Sequence, residues 1–223
     1  MDTMKKTAAI FTLMLVLCSL TAGSFYTGLE GGVGINTIIS GKDYKGYNYG
    51  SSSGYTLSVP VIYEFNEWTG IESGLSFSGK NYTLERYYRG SAMVDLKMSN
   101  VFVEVPLLAR FRTPAYSGLA LYGSIGGYLG FWAWGQQKGE AIGLAMPDTT
   151  PVDQKTDLSH RNRFEAGVEA ALGCTIDFSR LRVQFGLRYA LSLTDMNLSQ
   201  EKGGYPLYNS TFTVGCGLMW RCF

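Results

Sequence analysis

Residues 181–192 read Leu-Arg-Val-Gln-Phe-Gly-Leu-Arg-Tyr-Ala-Leu-Ser. Leu181, Val183, Phe185, Leu187, Tyr189 and Leu191 take every second place, with Arg182, Gln184, Gly186, Arg188 and Ser192 between them. Successive side chains of an extended chain point to opposite faces, so this run is a strand with one apolar and one polar face. The same period of two recurs on both sides of it. Residues 208–220 present Phe212, Val214, Cys216, Leu218 and Trp220 on one face. Residues 163–176 set Phe164, Val168, Leu172 and Ile176 against Glu165, Gly167, Glu169 and Gly173, and residues 119–132 set Leu121, Ile125, Leu129 and Phe131 against Tyr122, Ser124, Gly126 and Tyr128. Residues 100–112 alternate Val101, Val103, Val105, Leu107 and Phe111 with Glu104, Arg110 and Arg112. Residues 68–79 alternate Ile71, Leu75 and Phe77 with Glu72, Gly74, Ser76 and Ser78. Residues 54–66 carry Tyr55, Leu57, Val59, Val61, Tyr63 and Phe65 over Thr56, Ser58, Glu64 and Asn66, and residues 25–39 carry Leu29, Val33, Ile35 and Ile39 over Gly28, Glu30, Gly32, Gly34 and Asn36. No helical stripe competes, and the count reaches eight strands.

The connections alternate as well. Those at Asn66–Glu67, 113–118 and 177–180 are short; those at 40–53, 80–99, 135–162 and 194–207 are long. Short turns at one rim and long loops at the other, with strands of ten or so residues, are the pattern of an eight-stranded antiparallel up-and-down transmembrane β-barrel. A soluble barrel of the lipocalin kind shares the alternation but needs a densely charged outer face. Here the polar face is mostly glycine and serine with a few Glu and Arg, and the strand cores as bounded contain no lysine. That face suits a narrow lumen, and the apolar face suits hydrocarbon with aromatic girdles at the interfaces. Tyr63, Phe65, Trp68, Phe111 and Trp220 are placed at the short-turn rim; Tyr55, Phe77, Phe131, Trp132 and Trp134 at the other. The terminal Phe223 stands one step out of the outward register of the last strand.

Composition agrees. Of 223 residues 17% are charged and 14% aromatic, with 28 glycines and a net charge of +1. This excludes disorder, a helical bundle and a nucleic-acid-binding surface. Lys5 and Lys6, an apolar stretch 7–17 and small residues 19–24 form a secretory signal peptide over 1–24, which leaves a barrel domain over 25–223. The apolar stretch is too short for a helical anchor, and Leu17 before Cys18 disfavours lipid attachment. Cys174, Cys216 and Cys222 form no disulfide framework or CxxC pair and read as buried, inert thiols.

The run Val103-Glu104-Val105-Pro106-Leu107-Leu108, the glycine–tyrosine strand 122–130, Phe164-Glu165-Ala166-Gly167 with Gly173, and Arg188-Tyr189 before a loop resemble the PorT-like outer-membrane β-barrel family of Gram-negative bacteria. The resemblance covers the mature chain. It implies insertion by the barrel-assembly machinery and an outer-membrane location, and the secretion role of the namesake does not transfer on fold alone.

Inward parity gathers Glu30, Glu64, Glu72, Glu104, Glu165 and Glu169 with Arg110, Arg112, Arg182 and Arg188. Glu30, Glu64, Glu72, Arg110, Arg112 and Arg182 are expected in one lower layer, paired because an isolated buried charge is costly. Eight strands leave an interior just wide enough for side chains to fill, so the lumen is expected to be plugged. Asp157-Leu158-Ser159-His160 collects three residues of the hydrolase type, but triads are assembled by the fold rather than by adjacency. Residues 74–81, Gly-Leu-Ser-Phe-Ser-Gly-Lys-Asn, approach a phosphate-binding loop but lack its Ser/Thr and its helix. The aromatic and basic segment 81–89, with Tyr82, Arg86, Tyr87, Tyr88 and Arg89, supplies surface-contact candidates on a hairpin above the membrane. The expectation is a non-enzymatic barrel without cofactor or metal, in contact with outer-membrane lipid, lipopolysaccharide and an unidentified surface partner. A secretion accessory and a membrane hydrolase using His160 are the alternatives.

Overall fold

The computed structural model describes residues 23–40, 48–89, 92–143, 149–158, 161–196 and 206–223, with backbone alone for 86–89 and 92. Of the signal segment expected over 1–24, residues 1–22 lie outside these residues. Ten strands are present among the described residues: β1 Ser24–Ser40, β2 Asn48–Glu64, β3 Thr69–Gly79, β4 Tyr82–Arg89, β5 Ala92–Arg112, β6 Leu119–Gly143, β7 Thr149–Lys155, β8 Phe164–Phe178, β9 Leu181–Ser192 and β10 Leu207–Arg221. Eight of them close an antiparallel ring in the order β1, β2, β3, β5, β6, β8, β9, β10 and back to β1. Closure removes the unpaired edge that hydrocarbon cannot satisfy.

The turns at the lower rim are built locally. The Asn66 Oδ1 accepts the amides of Trp68 and Thr69 at 2.8 and 2.9 Å. The β5–β6 turn passes through Gly118 at a φ of 83°, a left-handed conformation that glycine adopts without cost. The prolines in the wall leave gaps in the ladder, and hydroxyls of facing strands compensate. Thr27 donates to the Pro60 carbonyl at 3.0 Å and Ser73 to that of Pro106 at 2.8 Å.

The upper half departs from the expected loops. Segment 80–99 is not a loop: β4 continues the line of β3 between β2 and β5, and β5 starts at Ala92. Across the junction β2 has one residue more than its partner, since Tyr55 pairs with Gly79 but Ser51 with Tyr82. The Asn81 side chain bridges the irregularity, donating to Ser53 O at 2.8 Å and accepting from Asn100 N at 3.1 Å. Likewise β6 extends to Gly143 and pairs with β7 inside the segment expected to be a loop from 135 to 162. These upper strands rise past the apolar wall and alternate among polar residues, so they lack the lipid-facing signature that marks the strands below.

Below these upper strands the outer face is apolar. Leu29, Val33, Leu107, Leu121, Leu129, Leu172 and Leu187 are exposed there, which in a bilayer means contact with acyl chains. Cys216 and Cys222 are exposed rather than buried, because β10 turns its even-numbered residues outward. The register problem at the C-terminus resolves after the strand ends at Arg221: the Phe223 ring stacks on outward-facing Phe25, with centroids 5.4 Å apart.

Candidate functional site

Inside the ring the even-numbered residues of most strands meet, and their chemistry changes with height. At the short-turn end Tyr26, Ile62 and Met219 form a buried apolar layer. Against it lies Arg182, 0% exposed, with its guanidinium 3.7 Å from the Tyr26 ring centre. Arg182 donates to both oxygens of Glu64 at 2.6 and 3.1 Å and to Asp177 at 2.7 Å. Arg112 also pairs with Asp177.

One level up, Glu72 accepts from Arg110 at 2.6 Å, Arg188 at 2.8 Å and Ser124 at 3.0 Å. Arg188 reaches Glu169 as well, and Glu30 at 3.5 Å. Gln184 closes the set by accepting from Arg110 at 2.8 Å and donating to Glu30 at 3.1 Å. The residues expected in one lower layer thus fall into two groups, one around Arg182 and one around Arg110 and Arg188. Tyr122 stacks on Arg110 at 3.9 Å. A Cβ at Gly173 or Gly186 would overlap the Tyr122 ring or hydroxyl, so these glycines make its space.

The third level is centred on a residue that the strand boundaries left out. Lys80 follows Gly79, keeps the inward parity of Glu72, Ser76 and Ser78, and is 1% exposed. It pairs with Glu104 at 2.5 Å and with Glu165, and its ammonium lies 4.8 Å from the Tyr128 ring centre. Tyr128 donates to Glu165 at 2.6 Å, and Asn209 and Ser78 complete the carboxylates of Glu165 and Glu104. Ending the strand at glycine hid Lys80; parity carried one step further finds it. Asp177 was missed for a similar reason, since it sat at the edge of a turn.

Above Lys80 the interior is apolar again. Phe102 and Trp132 stack with centroids 5.5 Å apart, among Ile38, Tyr82, Met98, Met196 and Leu207. Two expectations are corrected here. Trp132 is not in the outer girdle: it is 1% exposed and faces inward, as its even number requires. A bulge follows it, with Phe102 opposite Trp132 but Val101 opposite Trp134, and that extra residue turns Trp134 outward. Tyr82 is not a surface contact: it pairs with inward-facing Met98 of β5, so it points inward and is 3% exposed. The side chains of Arg86, Tyr87, Tyr88 and Arg89 lie outside the described ones, although their backbone forms β4.

The remaining girdle candidates Tyr55, Phe65, Trp68, Phe77, Phe111, Trp134 and Trp220 are exposed on the outer face, and Phe131 packs edge-on to Phe164. Tyr63 is on the same face but is covered, meeting the Phe65 ring at 5.3 Å. Ser159 and His160 lie outside the described residues, and Asp157 is exposed. The segment resembling a phosphate loop runs from β3 into β4, with no helix after it. Among the described residues no group of three or more His, Cys, Asp or Glu is arranged to hold a metal.

A family model described as "outer membrane protein beta-barrel domain" matches residues 21–197. No curated protein matches the sequence. Among solved structures, Neisserial surface protein A is 13% identical with a TM-score of 0.45, over 89% of this chain and 98% of that one. OprG from Pseudomonas aeruginosa is 14% identical with a TM-score of 0.45, over 89% and 96%. Ail, the attachment invasion locus protein of Yersinia pestis, is 14% identical with a TM-score of 0.40, over 88% and 99%.

Proposed function

The chain belongs to the family of outer-membrane protein β-barrel domains, and from that premise we propose a non-enzymatic barrel with a closed, charge-paired lumen. It serves envelope structure or surface interaction through the strands and loops above its outer rim. The observation that carries this reading is the stacking of side chains inside the ring: an apolar layer at each end and, between them, buried ion pairs around Arg182, Glu72 and Lys80. Such filling supports a structural interior rather than a diffusion path. The ten lumen residues Glu30, Glu64, Glu72, Glu104, Arg110, Arg112, Glu165, Glu169, Arg182 and Arg188 are assigned to holding the wall, each charge being costly to bury alone. Reconstitution in planar bilayers tests this: baseline current is expected, and stable unitary conductance steps overturn the closed lumen.

In this reading residues 1–24 are removed on export, and the barrel-assembly machinery inserts the mature chain into an outer membrane bearing lipopolysaccharide. N-terminal sequencing of the mature protein, expected to begin near Phe25, checks the first step. The finer kinship with PorT-like members rests on the Val103–Leu108 run and the glycine–tyrosine strand, and it supports the second reading, a secretion accessory. Unchanged export of surface proteins after deletion excludes that role.

A further inference from the structure

The outer face of β5, β6 and β7 changes character just above the apolar wall. The outward residues Val101 and Trp134 are ladder partners and mark the last apolar row. The next outward row is Ser99, Gln136 and Lys155; the one above is Thr83, Lys97, Lys138 and Asp153. Among the described residues, the lysines other than Lys80 are Lys97, Lys138 and Lys155, and all three stand in these two adjacent rows. Arg163 joins them from the β8 side, its guanidinium 4.5 Å from the Phe131 ring centre and its Nε donating to Trp132 O at 3.2 Å.

Lys97 and Lys138 are direct cross-strand partners. Like charges so placed weaken a sheet unless something between them is negative. Asp153 pairs with Lys138 at 3.5 Å and is itself held by Gln136 at 2.7 Å. It offsets one of the four cations. Three further carboxylates on this face, Glu85, Asp95 and Glu140, lie one outward row farther from the apolar wall, and Asp157, two residues past Lys155, is exposed next to the cations. On β5 and β6 the order away from the membrane core is therefore apolar, cationic, anionic. In the leaflet around such a wall, phosphates lie directly above the acyl chains, at the height of the cationic rows.

We propose that Lys97, Lys138, Lys155 and Arg163 form a docking surface for the phosphates of a phosphorylated glycolipid in the surrounding outer leaflet. This rests on the membrane-barrel reading and adds a position and a chemistry to its lipid contact. Each lysine near an anionic lipid surface contributes about fivefold to binding. Aromatic rings of Phe131 and Trp134 seat the upper ends of the acyl chains below.

The test uses the purified protein folded into phosphatidylcholine bilayers containing either bisphosphorylated lipid A or the same lipid with its phosphates removed. Lipid A co-purifying with the barrel after mild detergent extraction is quantified. The wild type is expected to retain the phosphorylated form preferentially. Lys97→Gln/Lys138→Gln/Lys155→Gln is expected to lower that retention at least about tenfold and leave the dephosphorylated form unchanged, whereas Asp153→Asn raises retention of the phosphorylated form. Equal retention of both lipids by the wild type, or unchanged retention by the triple variant, overturns the proposal. Boiling-dependent gel migration of the same samples reads the barrel separately: a triple variant that still shifts but binds less lipid separates loss of docking from loss of fold.

Discussion

Arg182→Met isolates the energetics of the filled interior. Arg182 supplies both hydrogen bonds that the structure gives to the Glu64 carboxylate, at 2.6 and 3.1 Å, and among the described residues no second cation pairs with Glu64. Its other partner, Asp177, keeps Arg112. The substitution therefore orphans one buried carboxylate while the methionine fills most of the vacated volume beside Tyr26. Breaking a buried pair by removing one partner costs about 3–5 kcal/mol. With a urea slope of about 2–3 kcal/mol/M, the unfolding midpoint should fall by about 1–2.5 M. Glu64→Gln added to Arg182→Met removes the orphaned charge and should restore more than half of that loss. The measurement is equilibrium urea unfolding of the barrel in lipid vesicles, read by tryptophan emission and by the folded fraction on unboiled gels. A single variant within about 0.5 M of the wild type, or a double variant no more stable than the single, refutes the claim that pairing is what makes these charges tolerable inside the wall.

Other consequences are accessible with the same preparation. Trp132→Ala removes a ring stacked on Phe102 inside the outer mouth and should cost about 3–5 kcal/mol, whereas Trp134→Ala, on the outer face, should cost far less in the same unfolding assay. Gly186→Leu places a side chain where the Tyr122 hydroxyl lies; the unboiled, fast-migrating band should be lost, and Gly186→Leu/Tyr122→Ala should recover part of it. In folded proteoliposomes a charged maleimide should label Cys222 at the rim and leave Cys216 unmodified, because Cys216 lies at mid-height opposite Gly31 on the lipid face. Equal labelling of the two thiols contradicts that placement.

Much of the wall is legible from period-two alternation because its two faces differ so sharply: lipid rejects polar groups on one, while the middle of the narrow interior takes small residues and paired charges on the other. The turns at Asn66–Glu67, 113–118 and 177–180 follow for the same reason, as breaks between faces that must stay in phase. Where those constraints end, so does the signal. β4 and β7 stand above the acyl chains, where Thr83, Glu85 and Asp153 sit on the outer face as comfortably as any apolar residue. Lys80 was hidden by a strand boundary drawn at Gly79, and Trp132 by giving aromatic character more weight than its parity. The bulge beyond Trp132 depends on pairing between β5 and β6 and leaves no local mark. The identity of the partners of Arg188, which reaches Glu30, Glu72 and Glu169 from three different strands, is a property of closure that a single strand does not contain.

The most direct test of a closed membrane barrel with its apolar face outward is the migration of detergent-folded protein on gels with and without boiling, alongside envelope fractionation. A faster unboiled band, together with recovery in the outer-membrane fraction, is the expected result. Identical migration of both samples, with the protein soluble in the periplasm, contradicts it and turns the apolar face into the lining of a cavity.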